Sequence, residues 1–276
     1  MQDRPLVSVV MPTYERPGFL RLAVRAVLRY ADLPFEYIIW NNASGPETTD
    51  WLNTLDDRRV RVVHSRTNVG CNAYELAFRQ ARGEWLVEMD DDVIDLPQGF
   101  LSKMVAAFEA CPDIGYLALD VVRDETTNGG KPEEYAYEEE WHDGICLQFG
   151  PTGGWCTMTP RRLYEKVGFA LVPAKSYFFE DGMYSHDLAD LGYRSAILKG
   201  VRCYHAKGVV WNAAYQEHWE TRAEDHPDEI DRMRRYLDEG IFVRDTQRPW
   251  SVRKSLGDCK RLLHRCLRRL AGRRGT

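Results

Sequence analysis

Gly83-Glu84-Trp85-Leu86-Val87-Glu88-Met89-Asp90-Asp91-Asp92 is a short apolar run that stops in three consecutive carboxylates. Glu84–Met89 reads as a strand, because a brief apolar stretch bounded by Gly and Asp is too short for a helix of ordinary length. Three adjacent carboxylates repel one another, a cost that makes sense if a cation sits among them. Hard oxygen ligands select Mg²⁺ or Mn²⁺, which keep open positions for substrate phosphates. The other reading of Asp90–Asp92 is a solvated turn capping the helix near Phe100.

Upstream of this run, strand and helix signals alternate. Val7–Met11 is a β-rich run ended by Pro12, and Pro17-Gly18 opens a helix whose Leu20, Ala23, Val24, Val27 and Leu28 form one apolar stripe, ending near Asp32-Leu33-Pro34. Tyr37–Trp40 is a second strand running into the polar turn Asn41–Gly45, Val60–His64 a third, and a helix around Tyr74–Ala81 precedes the quoted strand. The alternation predicts an α/β fold: a Rossmann-like, mostly parallel mixed sheet with helices on both faces. Ligands in such sheets bind beyond the carboxyl ends of the strands, so Thr13-Tyr14-Glu15-Arg16, Asn41-Asn42 and the aspartates should share one rim.

Downstream, a helix near Phe100–Ala110 and a strand at Tyr116–Leu119 are followed by an acidic stretch, 124–144, read as an excursion or lid loop. A strand over Gly153–Met158, a short helix from Pro160 to Gly168, a helix entered through Tyr177–Asp181 and ending before Gly192, and strands near Ser195–Leu198 and Gly200–His205 complete the expectation. The chain thus divides into residues 1–120, residues 121–212 as the second half of the same domain, and a helical C-terminal extension over 213–276.

Composition narrows the class. A chain of 276 residues with 44% apolar and 12% aromatic residues can bury about 70–75% of the surface its unfolded form exposes, which excludes general disorder. No run approaches the ~20 apolar residues of a membrane span, and Asp3 is followed almost at once by a strand, unlike a signal peptide. A cytoplasmic protein is expected. Seven cysteines without a CxxC pair argue against a zinc site or a disulfide framework. The net charge of −5 conceals an asymmetry: residues 251–276 hold nine Lys/Arg and one Asp, leaving −13 for residues 1–250. In that tail Leu256, Cys259, Leu263, Cys266, Leu267 and Leu270 share a helical stripe ringed by basic residues. Such a helix suits peripheral contact with an anionic membrane on its inner face, or docking of the stripe onto protein. Nucleic acid is not expected as a partner, because the body is acidic and no recognised nucleic-acid module appears.

The order of several motifs carries a resemblance. Val7–Arg16 (VSVVMPTYER), the Ile39–Ser44 turn, Arg66–Gly70, Gly83–Asp92 (GEWLVEMDDD), Gly153-Gly154 with Arg161-Arg162, and Phe179-Glu180-Asp181 followed by Leu191-Gly192-Tyr193 occur as in family 2 glycosyltransferases. The chain resembles that family over roughly residues 5–208. The resemblance implies a glycosyltransferase-A fold with a nucleotide-binding half (1–120) and an acceptor-binding half (121–212). It also implies transfer from a nucleotide-sugar donor, with a uridine base expected ahead of thymidine, to a carbohydrate or lipid-linked glycan, with inversion.

By the same resemblance, Thr13, Tyr14 and Arg16 hold base and ribose, and Arg66 and Asn68 approach the donor phosphates and base. Asn41 stands where the family ordinarily has an aspartate that receives the base; its carbonyl can still accept from a pyrimidine ring N–H. Asp92 would bridge a Mn²⁺ or Mg²⁺ ion and the diphosphate, Asp90 and Asp91 would orient ribose or bind the metal through water, and His205 matches a further ligand or is structural. Asp181 matches the base that takes the acceptor proton, or caps a helix, and Glu180 would orient it or the acceptor. Trp155, beside Gly154, either offers an apolar face to the acceptor sugar or belongs to the core. A nucleotidyltransferase, whose Gly-rich first loop this chain lacks, and a silent glycan-binding module are the other function classes.

Overall fold

The structure, a computed structural model, describes residues 4–123, 127, 130–171 and 180–206. Its elements run β1 (Val7–Thr13), α1 (Pro17–Tyr30), β2 (Phe35–Asn41), α2 (Pro46–Asn53), β3 (Val60–His64), α3 (Asn72–Phe78), β4 (Trp85–Met89), β5 (Val93–Asp95) and α4 (Phe100–Ala110). Then follow β6 (Ile114–Val121), a 3₁₀ turn (Glu134–Ala136), β7 (Glu138–His142), β8 (Ile145–Phe149), β9 (Cys156–Pro160), α5 (Arg161–Val167), α6 (Glu180–Ala189) and β10 (Arg194–His205).

Among the described residues the strands form one mixed sheet in the order β3-β2-β1-β4-β9-β6-β10-β8-β7, with β5 pairing the end of β10. β1, β2, β3 and β4 are mutually parallel, whereas β9 inserts antiparallel between β4 and β6. Side chains alternate across the pleat, so Val9, Ile39 and Val87 enter one buried cluster with α1 and α4, while Val10, Ile38 and Leu86 enter another with α3, α5 and α6. Burial on both faces is why β1, β2 and β4 read as continuous apolar runs. Pro17 sits in the first turn of α1, where its missing N–H costs nothing.

Three elements depart from expectation. Pro46–Asn53 is a helix, hidden in the sequence because only Thr48 and Leu52 of it are buried. The acidic excursion ends in a hairpin: His142 pairs with Ile145 across Asp143-Gly144, both at positive φ (48° and 80°), as a two-residue turn of this type requires. The charges of β7 obscured its pleat alternation and suit an edge strand, where they discourage pairing with another chain. The two expected C-terminal strands are one strand, β10, whose register shifts between Leu198 and Arg202 around Gly200 at φ 80°. The extension at 213–276 lies outside the described residues.

Candidate functional site

β2 lies on one side of β1 and β4 on the other. Such a reversal opens a crevice at the carboxyl ends of the strands. Thr13 closes β1, and Asp90–Asp92 follows β4 directly. The Thr13 hydroxyl donates to Asp91 Oδ2 at 2.7 Å, and Arg16 Nη1 bridges Asp91 Oδ1 and Asp92 Oδ2, each at 2.9 Å. Tyr74, on α3, donates its hydroxyl to Asp90 Oδ1 at 2.9 Å. From the far end of the chain β10 delivers buried His205, whose Nε2 lies 3.1 Å from Asp92 Oδ1 and 3.5 Å from Asp90 Oδ2.

Asp91 and Asp92 are buried and Asp90 half-buried; burying carboxylates is costly unless opposite charge compensates, and the titration of the buried pair follows from their neighbours. Burial pushes the Asp91 carboxyl up against the pull of Arg16. Burial also acts on Asp92, but His205 and Arg16 outweigh it and hold that carboxyl below the usual range. Burial would lower His205; Asp92 and Asp90 raise it instead.

One ligand atom each from Asp90, Asp92 and His205 lies within 4.8 Å of the others. Ligands bound about 2.0–2.6 Å from one cation span such separations, so two carboxylates and an imidazole fit a divalent ion here.

Helix α6 begins with Glu180 and Asp181. Asp181 Oδ2 accepts the Gly154 N–H at 3.0 Å and Oδ1 accepts the Gly182 N–H at 2.6 Å. Burial raises this carboxyl while the two backbone donors pull it down. Its neighbour Glu180 is buried and pushed up to about 8, by burial first and by Asp181 second. The Asp90 backbone N–H donates to Trp155 O at 2.9 Å, linking the metal-side turn to the Gly153-Gly154 segment.

The structure therefore brings Thr13, Arg16, Asp90, Asp91, Asp92 and His205 into mutual contact, and sets Gly154 against Asp181. Asn41 shares the rim, in register with Thr13, but its amide is engaged within the protein: Oδ1 accepts Ser44 N–H, and Nδ2 donates to Thr49 Oγ1 and His64 Nδ1. Tyr14 is half-buried at the same rim, Arg66 is exposed, and Asn68 Oδ1 accepts the Gly70 N–H. Trp155 is a core residue, 3% exposed with its indole N–H on Leu119 O, and presents no face to solvent. Sequence reasoning placed Asn42 on the rim without a role and missed Tyr74 and Glu88 as site residues. Asn42 staples the 65–70 loop by accepting Val69 N–H and donating to Gly70 O. A Glu inside an apolar strand was the available signal for Glu88.

The profile described as Glycosyl transferase family 2 matches residues 8–180. The chain belongs to glycosyltransferase family 2. Its fold is that of the solved structures it superposes on. A mannosyltransferase from Pyrobaculum calidifontis in complex with GDP-Man and Mn²⁺ superposes with a TM-score of 0.55 at 21% identity, over 74% of this chain and 58% of that one. GalNAc-T7 with UDP, GalNAc and Mn²⁺ gives 0.58 at 16% identity, over 74% and 44%. Among curated proteins, an uncharacterized protein of Sinorhizobium fredii, y4gI, is 26% identical over 261 residues; these cover 86% of this family 2 chain and 27% of that protein, so the chain spans about a quarter of its relative.

Proposed function

We propose that this glycosyltransferase moves a sugar from a uridine diphosphate donor to a hydroxyl of a carbohydrate or lipid-linked glycan, with inversion, using a divalent ion. The observation that carries the reading is the meeting of two charge systems: Asp90, Asp92 and His205 gathered within 4.8 Å, and Asp181, near enough to feel the Asp90 charge and held by two backbone N–H groups. Both neighbours named above carry a nucleotide and Mn²⁺, which supports a metal at the corresponding turn. A bound divalent ion supplies neutralisation of the leaving diphosphate without a proton. An imidazole beside carboxylates suits Mn²⁺ better than Mg²⁺, which prefers oxygen alone.

The chain's own residues supply the rest. Thr13, Tyr14 and Asn41 end or follow adjacent strands and offer hydroxyl and amide oxygen to base and ribose, with the remaining lone pair of Asn41 Oδ1 suited to a ring N–H. Arg66 and Asn68 approach from the neighbouring loop, while Arg16 adds positive charge beside the diphosphate. Asp181 takes the proton of the acceptor hydroxyl as its oxygen bonds to the anomeric carbon. The bond from that carbon to the diphosphate breaks in the same step, its electron pair leaving with the nucleotide. The chain works in the cytoplasm, at the inner face of a membrane if the basic tail acts as proposed.

Calorimetry with UDP, TDP and GDP in the presence of Mn²⁺ tests the donor side. UDP should bind most tightly, and Asp92→Asn should weaken it at least about tenfold, the scale on which changes around a metal site are felt. Tighter binding of GDP overturns the base assignment; undiminished UDP binding by the variant, insensitive to removal of Mn²⁺, overturns the metal site.

A further inference from the structure

β4 carries a glutamate where both neighbours in the strand, Val87 and Met89, are core residues. Glu88 is 1% exposed in the middle of the sheet. Leaving a carboxyl there without full compensation is unfavourable, and no role in donor or acceptor contact accounts for it. Tyr116, on β6 and equally buried, donates its hydroxyl to Glu88 Oε2. The second oxygen, Oε1, is buried without a hydrogen-bond partner. It faces Gly154 closely enough that a Cβ at that position would run into the Glu88 carboxyl.

Gly154 is the residue whose N–H holds Asp181 Oδ2 at 3.0 Å. The segment around it is clamped from other sides as well. Thr157 Oγ1 donates to Gly153 O at 2.6 Å, Asp90 N–H donates to Trp155 O, and the Trp155 indole is anchored on Leu119 O. Glu88 supplies the remaining side, a wall of fixed height behind the Gly154 peptide, with Tyr116 setting its position.

We infer that Glu88 is a positioning residue for the Asp181 base, acting through the Gly154 peptide that it supports from behind. The inference rests on the proposed role of Asp181. Glu88 touches neither substrate nor the reacting atoms; it fixes where the Gly154 N–H points and hence the plane of the Asp181 carboxylate. Orientation errors near 1 Å cost about 10²-fold in rate, so such support has a measurable consequence.

The test uses the full chain with Mn²⁺ and UDP release, water as acceptor, from whichever of UDP-glucose, UDP-galactose and UDP-N-acetylglucosamine turns over fastest. Glu88→Leu fills the same space without holding Tyr116 or the peptide, and should lower kcat about 10–100-fold with the donor KM within about twofold. Glu88→Gln, which still accepts from Tyr116, should recover most of that loss. In an Asp181→Asn background Glu88→Leu should add less than about twofold, because residues acting as a unit are not additive. If Glu88→Leu does not fold, Tyr116→Phe removes the anchor alone and should lower kcat about threefold or more, again with donor KM unchanged. Full additivity with Asp181→Asn, or a loss confined to thermal stability, overturns the inference. Unimpaired turnover by Asp181→Asn instead overturns the base assignment, whatever Glu88 does.

Discussion

Glu180 is buried in the first turn of α6 with its carboxyl pushed up to about 8 and Oε2 without a hydrogen-bond partner. At pH 7 the folded protein therefore holds a proton that the unfolded chain, with a glutamate pKa of about 4.3, releases. A folded pKa above the unfolded one makes this contribution to stability fully present below about pH 4.3 and progressively lost as pH rises toward the folded value. Glu180→Gln removes that titration. The variant should be more stable than the parent by roughly 3–4 kcal/mol at pH 7, and the difference should vanish near pH 4. Urea melts at the two pH values check this; a difference that did not change with pH would refute it. Asp92 has the opposite sign, because His205 and Arg16 outweigh its burial.

The β7–β8 hairpin joins the body through the pairing of β8 with β10, and a buried cation ties it further to the end of β6. Lys131 Nζ donates to Asp120 Oδ1 at the end of β6 and to Gln148 Oε1 on β8, both at 2.8 Å, and reaches Glu134 Oε1 at 3.2 Å. Burial alone would raise Asp120, but Lys131 and the Gly200 N–H outweigh it and hold its carboxyl below the usual range. Removing one partner of a buried pair strands the other, so Lys131→Met should destabilise by about 3–5 kcal/mol at neutral pH. The depressed carboxyl contributes stability that is present above its unfolded pKa of about 3.9 and lost as pH falls below it. The penalty of Lys131→Met should therefore shrink when melts are repeated below about pH 3.5. An undiminished penalty in acid would show that packing of the lysine stem, and not the ion pair, is what the hairpin needs.

The charge of the whole chain is divided unevenly, with −13 over residues 1–250 against nine Lys/Arg and one Asp in residues 251–276. Each Lys/Arg near an anionic bilayer is worth about 1 kcal/mol, so half of the nine would give salt-sensitive binding. Among the described residues no helix is long and apolar enough to cross a membrane, and the tail itself lies outside them. The full chain should co-sediment with anionic vesicles and a chain ending at Pro249 should not. Equal partitioning would remove the membrane role, and unfolding of the shortened chain would favour docking of the leucine stripe onto protein.

Much of this architecture is legible in the sequence. The strands β1 to β4 and helices α1 and α4 were readable because parallel strands covered on both faces become unbroken apolar runs, and because α1 keeps one stripe of buried residues. The paired acids at 180–181 and the triple aspartate at 90–92 stood out for a similar reason, since their chemistry is concentrated in consecutive positions. Helix α2 and the acidic hairpin escaped because their burial is slight or their charges mask the pleat. Long-range pairing decided the rest. His205 meets Asp92 because the bent end of β10 pairs with β5, just beyond the aspartates. Gly154 meets Glu88 because β9 runs antiparallel to β4, and Trp155 turns inward because Leu119, from a distant segment, accepts its indole N–H. Periodicity states which face of its own element a residue occupies; which residue stands opposite depends on strand order and register, and these are set by packing between segments far apart in the chain.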